Sequence, residues 1–117
     1  MSCTSTKRVI RVVAAEIRNE LGQYLITQRL PHAGMPLLWE FPGGKVEPDE
    51  TDEAALIREI REELDVAIEI VSKSVSLRRE YEPYTIDFHS FSAPNLPSTG
   101  LLKVSLTGAM LIKGSIN

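Results

Sequence analysis

GGKVEPDETDEAALIREIREELDV, residues 43–66, is the stretch on which the fold of this 117-residue chain turns. It opens on two glycines, passes through a polar loop with Pro48, and enters a run with helical spacing. Thr51 or Asp52 caps that run, which is expected to be a helix to about Leu64. Ile57, Ile60 and Leu64 recur at spacings of three and four, with Leu56 beside them, giving one apolar face. At 100° per residue, Glu59, Glu62 and Glu63 gather on the other side within an arc of roughly 100°. From Lys45 to Asp65 nine acids stand against three bases, a local charge of −6. The whole chain carries −3, so the remainder carries +3.

Like charges three and four apart on a helix cost a few tenths of a kcal/mol per pair. Glu59 with Glu62 and Glu59 with Glu63 both incur this cost, and Arg58 and Arg61 relieve it only in part. A hard divalent cation would remove it, because Mg²⁺ takes carboxylate oxygens, water and substrate phosphates. Such acidic density repels a bare phosphate and suits one only with cations between them. Gly43 and Gly44 allow close backbone approach, so that a carbonyl can join a coordination shell. A solvated, metal-free charged helix is the alternative that composition alone favours.

Outward from this stretch the pattern is of strands. Arg8 to Ile17 is a strand-like apolar run, and Asn19-Glu20-Leu21-Gly22 carries turn chemistry. Gln23 to Arg29 reads as the return strand of a hairpin. Residues 31–36 form a loop, and Trp39-Glu40-Phe41 a short extended piece ended by Pro42. Val66 to Tyr81 and Tyr84 to Ser92 read as two further strands. After a loop over 93–100, Leu101 to Leu106 suits a strand and Gly108 to Ile112 a short apolar piece. Strands around one clear helix imply an α/β fold, a mixed sheet with the helix packed on it.

Composition, at 43% hydrophobic and 25% charged, is that of an ordinary globular protein. No apolar run reaches the roughly 18 residues of a membrane span. The start lacks a signal-peptide pattern, residues 1–7 are expected to be a flexible tail, and Cys3 stands alone. These point to one domain over 1–117 in a reducing cytoplasm, without membrane or nucleic-acid partners. His32 and His89 are read as an exposed loop residue and a satisfied structural one. Trp39 is read as a core or rim aromatic.

Gly44, five residues, Glu50, seven residues, then Arg58-Glu59-Ile60-Arg61-Glu62-Glu63-Leu64-Asp65-Val66 resembles the Nudix box. Every defining position matches except the last glycine, which is Asp65 here. That position follows the helix, where left-handed backbone is common, and Asp tolerates it better than most residues. Trp39 to Glu47 and the hairpin ending in Arg29 are similar to MutT-like members, which sanitise nucleotide pools.

The resemblance implies a Nudix α/β/α sandwich with a catalytic loop and helix at the edge of a mixed sheet. It implies Mg²⁺, with Mn²⁺ as a substitute, held chiefly by Glu59 and Glu63, with Glu62 and the Gly43 carbonyl contributing. Arg58 would orient a carboxylate, Glu50 support the loop, and Arg29, Gly44 and Lys45 face the substrate phosphates. The implied reaction is hydrolysis of a nucleoside triphosphate, an oxidised or modified one included, to the monophosphate and pyrophosphate. Alternatives are a hydrolase of ADP-ribose or another nucleoside diphosphate compound, and a non-catalytic nucleotide-binding module. Residues 101–117 depart from the pattern: they offer no acid, no aromatic and no amphipathic closing helix. Leu101, Leu102, Leu111 and Ile112 are therefore expected to seek cover in a homodimer.

Overall fold

The structure is a computed structural model that describes residues 8–28, 39–96 and 109–113. β1 (Arg8–Asn19) and β2 (Gln23–Gln28) lead to two short strands, β3 (Trp39–Glu40) and β4 (Gly43–Lys45). The helix α1 (Asp52–Leu64) follows, then β5 (Ser72–Glu80), β6 (Tyr84–Leu96) and β7 (Ala109–Lys113). The sheet order is β3-β2-β1-β6-β5, with β4 added to β1 and β7 to β2. β1 and β6 run parallel while the other pairs are antiparallel, so the sheet is mixed.

Alternation along β1 decides where the core lies. Val13, Ala15 and Ile17 are fully buried and point to the face that α1 covers. Phe91 and Ala93 of β6 and Leu25 of β2 join Ala55, Leu56, Ile60 and Leu64 of α1 in the same cluster. The apolar stripe of α1 is centred on Leu56, Ile60 and Leu64, one turn apart. Ile57, expected on that stripe, stands one step round the helix and is 43% exposed.

The helix ends follow their sequence signals. The Thr51 hydroxyl accepts from Ala54 N at 3.1 Å, and Asp52 and Glu53 place negative charge at the positive end of the helix. Asp65 closes the helix in the left-handed region, with φ 54° and ψ 39°, and its N–H reaches Arg61 O at 3.0 Å. The sequence places a strand over Val66 to Tyr81, but β5 begins only at Ser72. Val66, Ile68 and Ile70 alternate because they pack against the core, and pairing to β6 starts with Val71 N donating to Ser92 O. The apolar piece near the C-terminus is strand β7, antiparallel to β2. Arg29, His32 and Leu101 to Leu106 lie outside the described residues. No described helix is long and apolar enough to cross a membrane.

Candidate active site

β4 lies antiparallel to β1, with Gly43 opposite Ala14 and Gly44 opposite Val13. Neither glycine is replaceable without movement. A Cβ at Gly43 would stand 2.0 Å from Val13 O, and one at Gly44 would stand 2.4 Å from the Glu59 carboxyl carbon. The second distance places the Glu59 carboxylate directly over the backbone of Gly44.

Arg58 is the hub of the acidic helix face. Its Nε and Nη2 donate to the two carboxylate oxygens of Glu50 at 2.6 and 2.8 Å. Nη1 donates to Glu59 and Glu62 at 3.1 Å each, and Nη2 also reaches Lys45 O at 3.3 Å. Glu50 further accepts from Glu47 N at 3.0 Å, which folds the loop back on itself. These bonds, Arg58's above all, hold the Glu50 carboxyl down at about 2. The same pairing raises the Arg58 guanidinium further above its ordinary value, so it stays charged.

Glu63 is the opposite case. The residue as a whole is exposed, but its carboxyl takes a hydrogen bond from the Gly43 backbone and is partly shielded from water. Burial first, then the charges of Glu59 and Glu40, with a smaller part from Glu62, push it up to about 7. Glu40, on β3, is a member of this cluster that the sequence reading does not single out. Its place beside Glu63 is set by the pairing of Thr27 with Glu40 across β2 and β3, which no local spacing reveals.

Among the described residues no three acidic, histidine or cysteine side chains converge on one point as metal ligands. Glu59 and Glu62 are turned onto Arg58 instead. The donor set nonetheless suits a hard divalent ion. It offers carboxylate oxygens crowded enough to hold one of them near neutrality, with nothing softer among them.

On the sheet face away from α1, a cleft of about 470 Å³ opens beside this cluster. Val12, Ala14 and Phe88 line it together with Phe41 and Glu40, and Gly43, Gly44 and Lys45 border it. Tyr24 braces Phe41 edge-on, with ring centroids 6.1 Å apart. Trp39, expected as a core or rim aromatic, is 41% exposed and so lies outside the core. His89 is buried, its ring nitrogens against Ser76 Oγ and Asp87 Oδ1 at 3.1 Å each, in keeping with a structural role.

A glycine-edged loop, an acidic helix and a neighbouring cleft suit a hydrolase of phosphoric anhydrides, the class that comparison with known proteins shows. The NUDIX domain model matches residues 7–101, and the chain belongs to that family, in its MutT-like branch. It is 40% identical over 92 residues to the CTP pyrophosphohydrolase of Escherichia coli strain K12, covering 79% of this chain and 67% of that one. It is 50% identical over 60 residues to the 8-oxo-dGTP diphosphatase of Haemophilus influenzae, covering 51% of this chain but only 44% of the relative. Among solved structures, the E. coli ORF135 protein superposes with a TM-score of 0.72 at 33% identity, covering 91% of this chain and 74% of that one. The MutT protein of Methanosarcina mazei Go1 gives 0.73 at 27%, covering 81% and 70%.

Proposed function

We propose that this enzyme hydrolyses a free nucleoside triphosphate, modified or oxidised deoxynucleotides included, to the monophosphate and pyrophosphate, with Mg²⁺ as its divalent ion. The observation that carries this reading is the placing of the carboxylate cluster around Gly43 and Gly44 at the border of the cleft. A volume of about 470 Å³ is in the range of small-molecule sites, and its apolar floor suits a base while its acidic border suits a metal-bridged polyphosphate. The names of the relatives, which act on CTP and 8-oxo-dGTP, support the same substrate class.

In this reading Glu59 and Glu63 would hold the cation, with Glu62 and the Gly43 carbonyl contributing; Mn²⁺ would substitute. When bound, the cation neutralises charge on the phosphates and lowers the pKa of a water. The chain's own residues do the rest. Arg58 fixes Glu59 and Glu50 relative to each other, Glu50 ties the loop to the helix, and Lys45 and Gly44 face the phosphates, with Arg29 as a further phosphate contact. Water attacks phosphorus, the phosphoanhydride bond breaks, and pyrophosphate leaves. The test is release of pyrophosphate from a panel of NTPs, dNTPs and 8-oxo-dGTP, and of AMP from ADP-ribose, with and without Mg²⁺. Mg²⁺-dependent pyrophosphate from the triphosphates is expected. Hydrolysis of ADP-ribose alone would move the substrate to nucleoside diphosphate compounds.

A further inference from the structure

We propose that Arg11, on β1, is a positioning residue that pins both ends of the loop 46–51 and thereby holds the acidic loop-helix unit in register with the sheet. Its backbone and its side chain act at opposite ends of that loop. Where β4 runs into the loop, Val46 N donates to Arg11 O at 3.0 Å. Where the loop runs into α1, Arg11 Nε and Nη2 donate to the two carboxylate oxygens of Asp52 at 2.5 Å each. A bidentate guanidinium–carboxylate pair fixes direction as well as distance. The third arm, Nη1, donates to Asp87 Oδ2 on β6 at 2.9 Å. Asp87 is held in turn by His89 Nε2 at 3.1 Å and faces Arg78 at 3.8 Å, so Arg11 is anchored to the sheet's centre.

Thr51, not Asp52, caps α1, so the Asp52 side chain is committed to Arg11. Its carboxyl lies below its ordinary range, first because of these hydrogen bonds. The side chains of Asp52 and Asp87 are only 12% and 14% exposed, and Arg11 is the cation between them. Inside the loop, Glu50 N donates to Glu47 O and Glu47 N to Glu50 Oε1, and Glu50 grips Arg58. Arg11 thus holds Asp52, the backbone leads from Asp52 two residues back to Glu50, and Glu50 binds Arg58, which in turn holds Glu59 and Glu62. Sequence spacing gives no hint of it, since Arg11 stands 41 residues from Asp52 and 76 from Asp87.

The role rests on the reading of this site as the metal and phosphate centre, and its test separates the two. Amide hydrogen exchange at Glu47 and Glu50 is measured without substrate in wild type and R11M, which keeps an apolar stem and loses the fork. Exchange at both amides is expected to rise about 10-fold or more, while amides of the buried core keep their protection. In turnover, kcat should fall about 10-fold with KM for nucleotide changed under about 2-fold, as expected for misplaced rather than missing groups. R11K, with a point charge in place of a fork, should recover only part of this. R11M/D87N removes one of the two carboxylates that lose the Arg11 guanidinium. It should regain part of the melting temperature and regain neither slow exchange nor kcat. Unchanged exchange in folded R11M, or full return of kcat in R11M/D87N, overturns the proposal; should R11M fail to fold, R11K carries the exchange test. A wild type that releases no pyrophosphate would defeat the substrate reading, and the exchange result would still decide on Arg11.

Discussion

Glu63 and Glu50 sit on one short loop-helix unit and are driven in opposite directions. Glu50 is ionised by its fork of hydrogen bonds to Arg58, whereas Glu63 is crowded by burial, Glu59 and Glu40. The unfolded chain loses the Glu63 proton near 4.5 and the folded, metal-free chain near 7. Between those values only the folded state holds the proton, so rising pH through that window removes stability. The metal-free melting temperature should therefore fall from pH 5 to 8 more steeply in wild type than in E63Q, and Mg²⁺ should restore it at pH 8. Parallel curves for the two proteins would refute the crowding. E63Q should also lose at least about 10²-fold in kcat, as removal of a group that holds transition-state charge does. Turnover equal to wild type at saturating Mg²⁺ would remove Glu63 from the site. Glu59, Glu62 and Glu63 were legible because helical spacing alone gathers them. Glu40 and Arg11 were not, because strand pairing brings them to the site.

At the scale of the element, α1 is the best-marked part of the chain, since its start and stop are both local chemistry. T51A should cost about 1 kcal/mol in urea unfolding through loss of the cap. D65G should gain roughly 0.5–1 kcal/mol, because glycine adopts the left-handed backbone at 65 without steric cost. A gain at Thr51 or a loss at Asp65 would show that tertiary contacts outweigh the caps. The segment 66–71 teaches the reverse lesson. Its alternation of Val66, Ile68 and Ile70 is a record of burial on one side, and burial does not require a partner strand. Likewise Ile57 fits a helical period but lies just outside the arc that the sheet covers, so periodicity alone overestimates the core stripe by one residue.

Across the whole molecule, the mixed sheet was legible from the order of strands around one helix, but not the late strand β7 laid beside β2. The cleft has consequences for selectivity. Glu40 and Lys45 are the polar side chains among its described lining; the rest is apolar or backbone. Base discrimination needs fixed polar partners that a wrong base leaves unpaired. Preference among the bases should accordingly stay below about 10³-fold, roughly 4 kcal/mol. A stronger preference in kcat/KM across the nucleotide panel would mean that further polar groups enter the cleft.

The parallel ladder between β1 and β6 runs from Arg8 with Tyr84 to Asn19 with Leu96, and it joins residues some 76 apart in the chain. Such a ladder cannot zip from a turn; a long loop must close before its first contact forms, and the entropy of closure comes due early. The hairpin β5–β6 has only a short connection, so its ladder closes a small loop. The loop and helix with Arg58, Glu59 and Glu63 lie wholly within the segment that the closure must span. Folding should thus be slow for a protein of this length, and competence for metal should arrive late. In stopped-flow refolding, secondary structure should precede Mn²⁺ binding, because α1 packs on a core that β1 and β6 build together.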